Sequence, residues 1–180
     1  MDDGLSFQHH KTSGRVVVPS VLFVCTANQI RSPFASAVFQ KILAEKGFQL
    51  DKWKIGSAGT WVYPHLPIEP NLVTIAAELQ VNLGEHKPTQ IDPTLLQKYA
   101  LIIVMEKGQK EAINYEFPEA NYKSYLLTEF NGPTYDIPDP HGMPIEQYRK
   151  MLMILYATIS KSFNSICNTA RKLSLDSILY

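Results

Sequence analysis

The chain has 180 residues, 45% of them hydrophobic, with 17 basic and 17 acidic side chains. That length and composition suit one domain with a full core. A net charge of zero gives no electrostatic case for nucleic acid or an anionic membrane, and two cysteines do not make a disulfide framework.

Met1 to Gly14 is polar, and residues 1–19 read as a flexible N-terminal extension. Lys11 and Arg15 ahead of the apolar run Val16 to Cys25 have the outline of a signal peptide. Pro19 interrupts that run, and cleavage near Thr26–Asn28 would destroy the loop described next, so secretion is not expected. No stretch is long enough to span a bilayer.

Ser20 to Cys25 is continuous in apolar residues, as a central parallel strand should be. It ends in a cysteine. A short loop follows, Arg31 closes it, and Ser32-Pro33 reads as a helix start, with Ser32 fit to cap and Pro33 fit for the first helical position. A strand that stops, a tight loop and a helix that starts make a bowl of backbone N–H groups suited to an anion. Cys25 sits at its floor and Arg31 at its rim. A thiol beside a helix N-terminus and an arginine ionises more readily than a free one, and a guanidinium forks onto two phosphate oxygens. The pattern points to in-line attack on a bound phosphate. A buried strand-end cysteine near a surface arginine is the plainer alternative.

Ser32 to Gly47 has Phe34, Val38 and Ile42 at four-residue steps, which predicts a helix stopped by Gly47. Trp53 to Ser57 is a short second strand, followed by Ser57-Ala58-Gly59-Thr60. Trp61 to Pro70 carries two aromatics and three prolines and reads as a loop. Asn71 to Val81 is a second helix with Leu72, Ile75, Ala76 and Leu79 on one face. Ala100 to Met105 is a third strand, Lys107 to Tyr115 a helix and Ser124 to Leu127 a fourth strand. Asp139-Pro140 follows, where proline limits the backbone before it. Ile145 to Leu173 is a long amphipathic helix that closes the sheet's other face, with Cys167 beside its apolar stripe as a packing residue; residues 175–180 read as a tail. This order predicts a single α/β domain over residues 20–174: a four-stranded parallel sheet with helices on both faces, and the loop at the carboxyl end of the first strand.

Val21-Leu22-Phe23-Val24-Cys25-Thr26-Ala27-Asn28-Gln29-Ile30-Arg31-Ser32-Pro33 resembles the signature of the low-molecular-weight protein tyrosine phosphatases. Ser57-Ala58-Gly59-Thr60, Glu69-Pro70, Met105-Glu106 and Asp139-Pro140-His141 resemble further segments of that family. The resemblance implies a cytoplasmic, cofactor-free and metal-free phosphatase acting through a phosphocysteine. In this reading Cys25 is the nucleophile, and Arg31 with the loop Thr26, Ala27, Asn28, Gln29, Ile30 and Ser32 holds the phosphate. Asp139 protonates the leaving group and then activates water. Asn28, Ser32, Ser57 and His86 support the loop, and Gln29, Trp61 or Tyr63, and His141 wall the crevice. The partner implied is a phosphoprotein, with a bacterial tyrosine kinase of polysaccharide export as one candidate, and the chain is expected as a monomer or weak dimer.

Four positions depart from the family pattern. Ala27 stands for the usual glycine, and if that position needs positive φ it carries about 1–2 kcal/mol of strain. Ile30 replaces a second cysteine, so oxidised Cys25 has no obvious resolving thiol. Gln29 and His141 leave the leaving-group preference open. A protein arginine phosphatase is a competing reading, suggested by Thr26 and the Asp-Pro-x-Gly loop but weakened by Gln29. An arsenate reductase would need a further cysteine pair that Cys167 alone does not supply, and a non-catalytic phosphate-binding module would have no use for Asp139.

Overall fold

The computed structural model describes residues 17–63 and 65–177. The extension expected over residues 1–19 therefore lies almost wholly outside the described residues. Four strands, β1 (Ser20–Cys25), β2 (Lys54–Gly59), β3 (Leu101–Val104) and β4 (Ser124–Leu126), form one sheet in the order β2-β1-β3-β4. Every pairing is parallel, with Cys25 opposite Gly59 and Val24 opposite Val104. The α-helices are α1 (Arg31–Glu45), α2 (Pro70–Glu78), α3 (Pro93–Gln97), α4 (Lys107–Glu116) and α5 (Ile145–Asp176).

The two-residue period of β1 splits the core. Val21, Phe23 and Cys25 face one apolar cluster with Phe34 and Val38 of α1 and Leu155 and Ile159 of α5. Leu22 and Val24 face the other, with Leu96 of α3 and Ile113 of α4. Both faces of β1 are buried, which is why its sequence shows no alternation.

Chain order and sheet order part company at β1. The chain moves from β1 to β2 in one direction and from β3 to β4 in the other. Right-handed crossovers therefore put α1 and α4 on opposite faces. The gap between β1 and β3 at their carboxyl ends is the switch point where open α/β sheets take ligands, and Cys25 ends β1 there.

Several elements differ from expectation. Helix α5 does not close the opposite face: it packs beside α1, because one 15-residue helix cannot cover a four-stranded face alone. It also continues to Asp176, so residues 175 and 176 are helix rather than tail. Helix α1 begins at Arg31, and Ser32 is not its cap; no side chain caps that end. Its far end is stopped by Gly47 at φ +78°, with Phe48 N–H donating back to Leu43 O at 2.9 Å. Helix α3 was not anticipated, although Asp92-Pro93 signals it: Asp92 Oδ1 accepts from Leu95 N–H at 2.7 Å.

Candidate active site

The loop after β1 is held from behind by one side chain above all. Asn28 is fully buried and takes φ +55°, the left-handed region that asparagine tolerates better than most residues. Its Nδ2 donates to Ser32 Oγ at 2.8 Å and to Ser57 Oγ at 3.0 Å, and its Oδ1 accepts from Thr89 N–H at 2.9 Å. His86 Nε2 lies 2.7 Å from the Asn28 carbonyl oxygen. Ala27 takes a conformation that alanine tolerates: among the described non-glycine residues only Asn28 and Gln80 have positive φ. The positive φ falls on Asn28, whose side chain offsets it with hydrogen bonds.

Ser32, in the first turn of α1, spends its hydroxyl inward. Its Oγ is 3.0 Å from Cys25 Sγ and 3.0 Å from the Ala58 carbonyl oxygen. One hydroxyl hydrogen serves either the sulfur or the carbonyl. This explains why Ser32 does not cap the helix.

The continuation of β2 runs against the same loop. Thr60 N–H donates to Cys25 O and Trp61 N–H to Thr26 O, both at 2.9 Å. A Cβ on Gly59 would meet Thr26 O at 2.4 Å and Asn28 N at 3.0 Å, so only glycine permits this approach. Sequence reasoning gave Gly59 no role.

Arg31 is 2% exposed, an unusual depth for a guanidinium. Its Nη2 donates to Asp139 Oδ2 at 2.7 Å, and its Nη1 donates to the Ile137 carbonyl at 2.8 Å and to the Glu106 carboxylate. Among the described residues its buried Nε has no hydrogen-bond partner, and with Nη2 making a single bond two of the five N–H donors are left over. Glu106 is fixed by a capping box with Gln109 at the start of α4. Gln109 Nε2 in turn donates to Thr26 Oγ1 at 3.1 Å. Neither Glu106 nor Gln109 had a role in the sequence reading; the Glu-x-x-Gln spacing was the available signal. Asp136, the other carboxylate nearby, accepts from Lys107 N–H at 2.8 Å.

These groups surround a cleft of about 360 Å³. Cys25, Thr26, Ala27, Ile30 and Arg31 form its floor, and Glu106 and Asp139 stand on one side. Gln29, Tyr63, Leu66 and His141 form the upper wall. Asn28, Ser32, Ser57 and His86 lie behind the floor. Trp61 is not in the wall: its backbone still pairs with Thr26, and its side chain, 67% exposed, stays outside the cleft. Gln29 Nε2 donates to the Pro67 carbonyl at 3.3 Å, which ties the floor to the wall loop. Cys25 and Cys167 are both free thiols.

A tight loop around a cysteine at the end of a parallel strand, with a buried arginine and a carboxylate in the same cleft, defines an α/β protein with its candidate site at the switch point of the sheet. The chain belongs to the low molecular weight phosphotyrosine protein phosphatase family, whose model matches residues 20–172. It is 31% identical over 136 residues to a putative low molecular weight protein-tyrosine-phosphatase of Klebsiella pneumoniae, covering 76% of this chain and 89% of that protein. It is 32% identical over 130 residues to a protein-arginine-phosphatase of Geobacillus stearothermophilus, covering 72% of this chain and 83% of that protein. A solved structure of YwlE arginine phosphatase, a mutant with a phosphorylated active site serine, superposes with a TM-score of 0.77 at 26% identity; the match covers 86% of this chain and 99% of that one.

Proposed function

We propose that this protein hydrolyses phosphotyrosine in proteins by a two-step cysteine mechanism. The observation that carries the reading is the placement of Arg31: buried, beside the Cys25 floor, and 2.7 Å from Asp139. One guanidinium thus joins the phosphate-holding loop to the acid.

In the first step the Cys25 thiolate attacks phosphorus, an S–P bond forms and the P–O bond to tyrosine breaks. The loop N–H groups and Arg31 hold the non-bridging oxygens as charge builds on them. Asp139, entering the step as the carboxylic acid, delivers its proton to the departing phenolic oxygen. In the second step the Asp139 carboxylate takes a proton from water, the water oxygen attacks phosphorus, and the S–P bond breaks to release phosphate. Ser32 serves both steps. Its hydroxyl hydrogen points to Ala58 O when the sulfur is protonated or esterified, and turns to the sulfur, 3.0 Å away, when it is a thiolate.

The walls favour a phenyl ring over a guanidinium. Tyr63 and Leu66 give the wall apolar surface, and the Gln29 amide donates to Pro67 O. The arginine-phosphatase relative keeps phosphoarginine as the competing substrate. The test is a rate comparison on phosphotyrosine and phosphoarginine peptides in EDTA. Phosphotyrosine is expected to turn over faster, and a faster rate on phosphoarginine overturns the assignment. A thiol nucleophile needs a reducing compartment, and we place the protein in the cytoplasm; among the described residues no helix is long and apolar enough to cross a membrane. Its partner, a phosphoprotein, is proposed to be a tyrosine kinase of polysaccharide export; capture of such a kinase by Cys25→Ser tests this.

A further inference from the structure

Asp139 lies midway between two points where its loop is held. On one side is Ile137, whose N–H donates to Met105 O and whose carbonyl accepts from Arg31, both at 2.8 Å. On the other is His141, whose N–H donates to Asp139 Oδ1 at 3.1 Å and whose Nδ1 lies 2.8 Å from Glu69 Oε1. Glu69 belongs to the opposite wall. It precedes α2, and its backbone N–H donates to Gln29 O of the phosphate loop at 3.4 Å. The imidazole is 74% exposed, so this pair adds little to stability and its effect lies in where it holds the loop.

The second oxygen of Glu69 is the unusual feature. Among the described residues Glu69 Oε2 is buried without a hydrogen-bond partner, and so is Tyr148 Oη, in the first turn of α5. The two groups are neighbours, since the Glu69 carboxylate acts on the Tyr148 phenol. Burial first, then the Glu69 carboxylate and the Asp139 charge, push the Tyr148 phenol far above its ordinary pKa, so it stays protonated as a donor. A carboxylate oxygen and a phenol that are both desolvated and unpaired are costly to keep. Each is the complement the other lacks.

We propose that Glu69 is a positioning residue for the general acid. Its carboxylate holds the acid loop through His141 and lies beside the Tyr148 phenol, while its backbone N–H holds the phosphate loop. With residues 137 and 141 both held, Asp139 exchanges Arg31 for the leaving-group oxygen by turning its side chain, without movement of the loop. Holding the acid in place concentrates it at the departing oxygen.

The inference rests on the phosphatase reading, and the test separates the two. Wild type, Cys25→Ser, Glu69→Ala, Glu69→Gln, His141→Ala and the Glu69→Ala/His141→Ala double variant are assayed on phenyl phosphate and p-nitrophenyl phosphate. Failure of wild type to turn over either ester, or full activity in Cys25→Ser, overturns the phosphatase reading itself. With that reading intact, Glu69→Ala is expected to lose about tenfold in kcat/KM on phenyl phosphate, whose leaving group needs the proton. On p-nitrophenyl phosphate, which needs it far less, the loss is expected to stay within about twofold. Competitive inhibition by inorganic phosphate is expected to be unchanged, because the phosphate loop is intact. Glu69→Gln, which keeps an acceptor for Tyr148, is expected to recover part of the loss. The double variant is expected to be no worse than Glu69→Ala alone. Equal losses on both esters, weakened phosphate inhibition, additive losses in the double variant, or no loss would each overturn the inference. Should Glu69→Ala fail to fold, the same leaving-group split in Glu69→Gln and His141→Ala decides it.

Discussion

Cys25 and Cys167 are each 3% exposed, and the two regions around them have almost nothing else in common. Cys167 sits in α5 within the apolar cluster that α5 shares with α1. Burial there pushes its thiol up to about 11, only partly opposed by Arg171 and Lys46. Cys25 touches the same cluster on one side, since its side chain falls on the α1 face of β1. Its sulfur, however, meets Ser32 Oγ, and it lies on the floor of a cleft with Arg31. Equal burial therefore gives one inert thiol and one candidate nucleophile. The difference is in the polar groups each sulfur meets, and those come from where a strand ends rather than from how deep it lies.

The largest effect that tests this contrast is on turnover. Cys25→Ser is expected to lower hydrolysis of an aryl phosphate by about 10⁴-fold or more, because the serine hydroxyl is a far weaker nucleophile and no base stands beside it. Cys167→Ser is expected to stay within about twofold of wild type in kcat, while losing about 1–2 kcal/mol of stability from a hydroxyl placed among hydrocarbon. Comparable losses of activity in both variants would erase the distinction.

Removing the polar scaffold should make the first region resemble the second. Asn28→Ala deletes the donor to Ser32 and Ser57 and the acceptor for Thr89 N–H. It also places alanine at φ +55°. Expected are a loss of about 2–4 kcal/mol in urea unfolding and about a hundredfold lower kcat/KM. Asn28→Gly keeps the backbone conformation available and deletes the same side chain. It is expected to regain stability more than activity; equal recovery of both would show that the turn, and not the hydrogen bonds, organises the sulfur.

How much of this was legible in the sequence follows the same division. The strand, loop and helix start around Cys25 are contiguous, so their chemistry could be read residue by residue. Asp139 stood out because Asp139-Pro140-His141 resembles the family's general-acid segment and the proposed reaction needs an acid; Asp-Pro alone reads as an ordinary turn. The sheet, its parallel sense and the helical stretches followed from apolar runs of the right length. What was missed depends on contacts between distant segments. Glu106 and Gln109 reach Arg31 and Thr26 only because β3 lies next to β1 in the sheet. Ser32 was expected both to support the loop and to cap the helix, and only the cap reading fails, because Cys25, Asn28 and Ala58 engage its hydroxyl. The choice between Trp61 and Tyr63 turns on how far the chain follows Thr26 before it leaves the loop. The face taken by α5 depends on the reversal of strand order, which local periodicity does not record.

The smallest expected effect is also the most specific to the Cys167 region. A thiol whose folded-state pKa is about 11 against an ordinary 9.0 binds its proton more tightly folded than unfolded. Between those values the unfolded chain gives up the proton first, so stability falls as pH rises. The contribution is fully present below pH 9 and is lost as pH climbs through the folded value, a change of about 3 kcal/mol. Tyr99 and Tyr148, both pushed up by burial, act with the same sign in the alkaline range. The Cys167 part is therefore read as a difference between wild type and Cys167→Ala in urea unfolding at pH 8, 9 and 10. The gap between the two proteins is expected to narrow steadily over that range. A gap that stays constant would mean that Cys167 ionises as freely in the fold as outside it, and that burial does not set the two thiols apart.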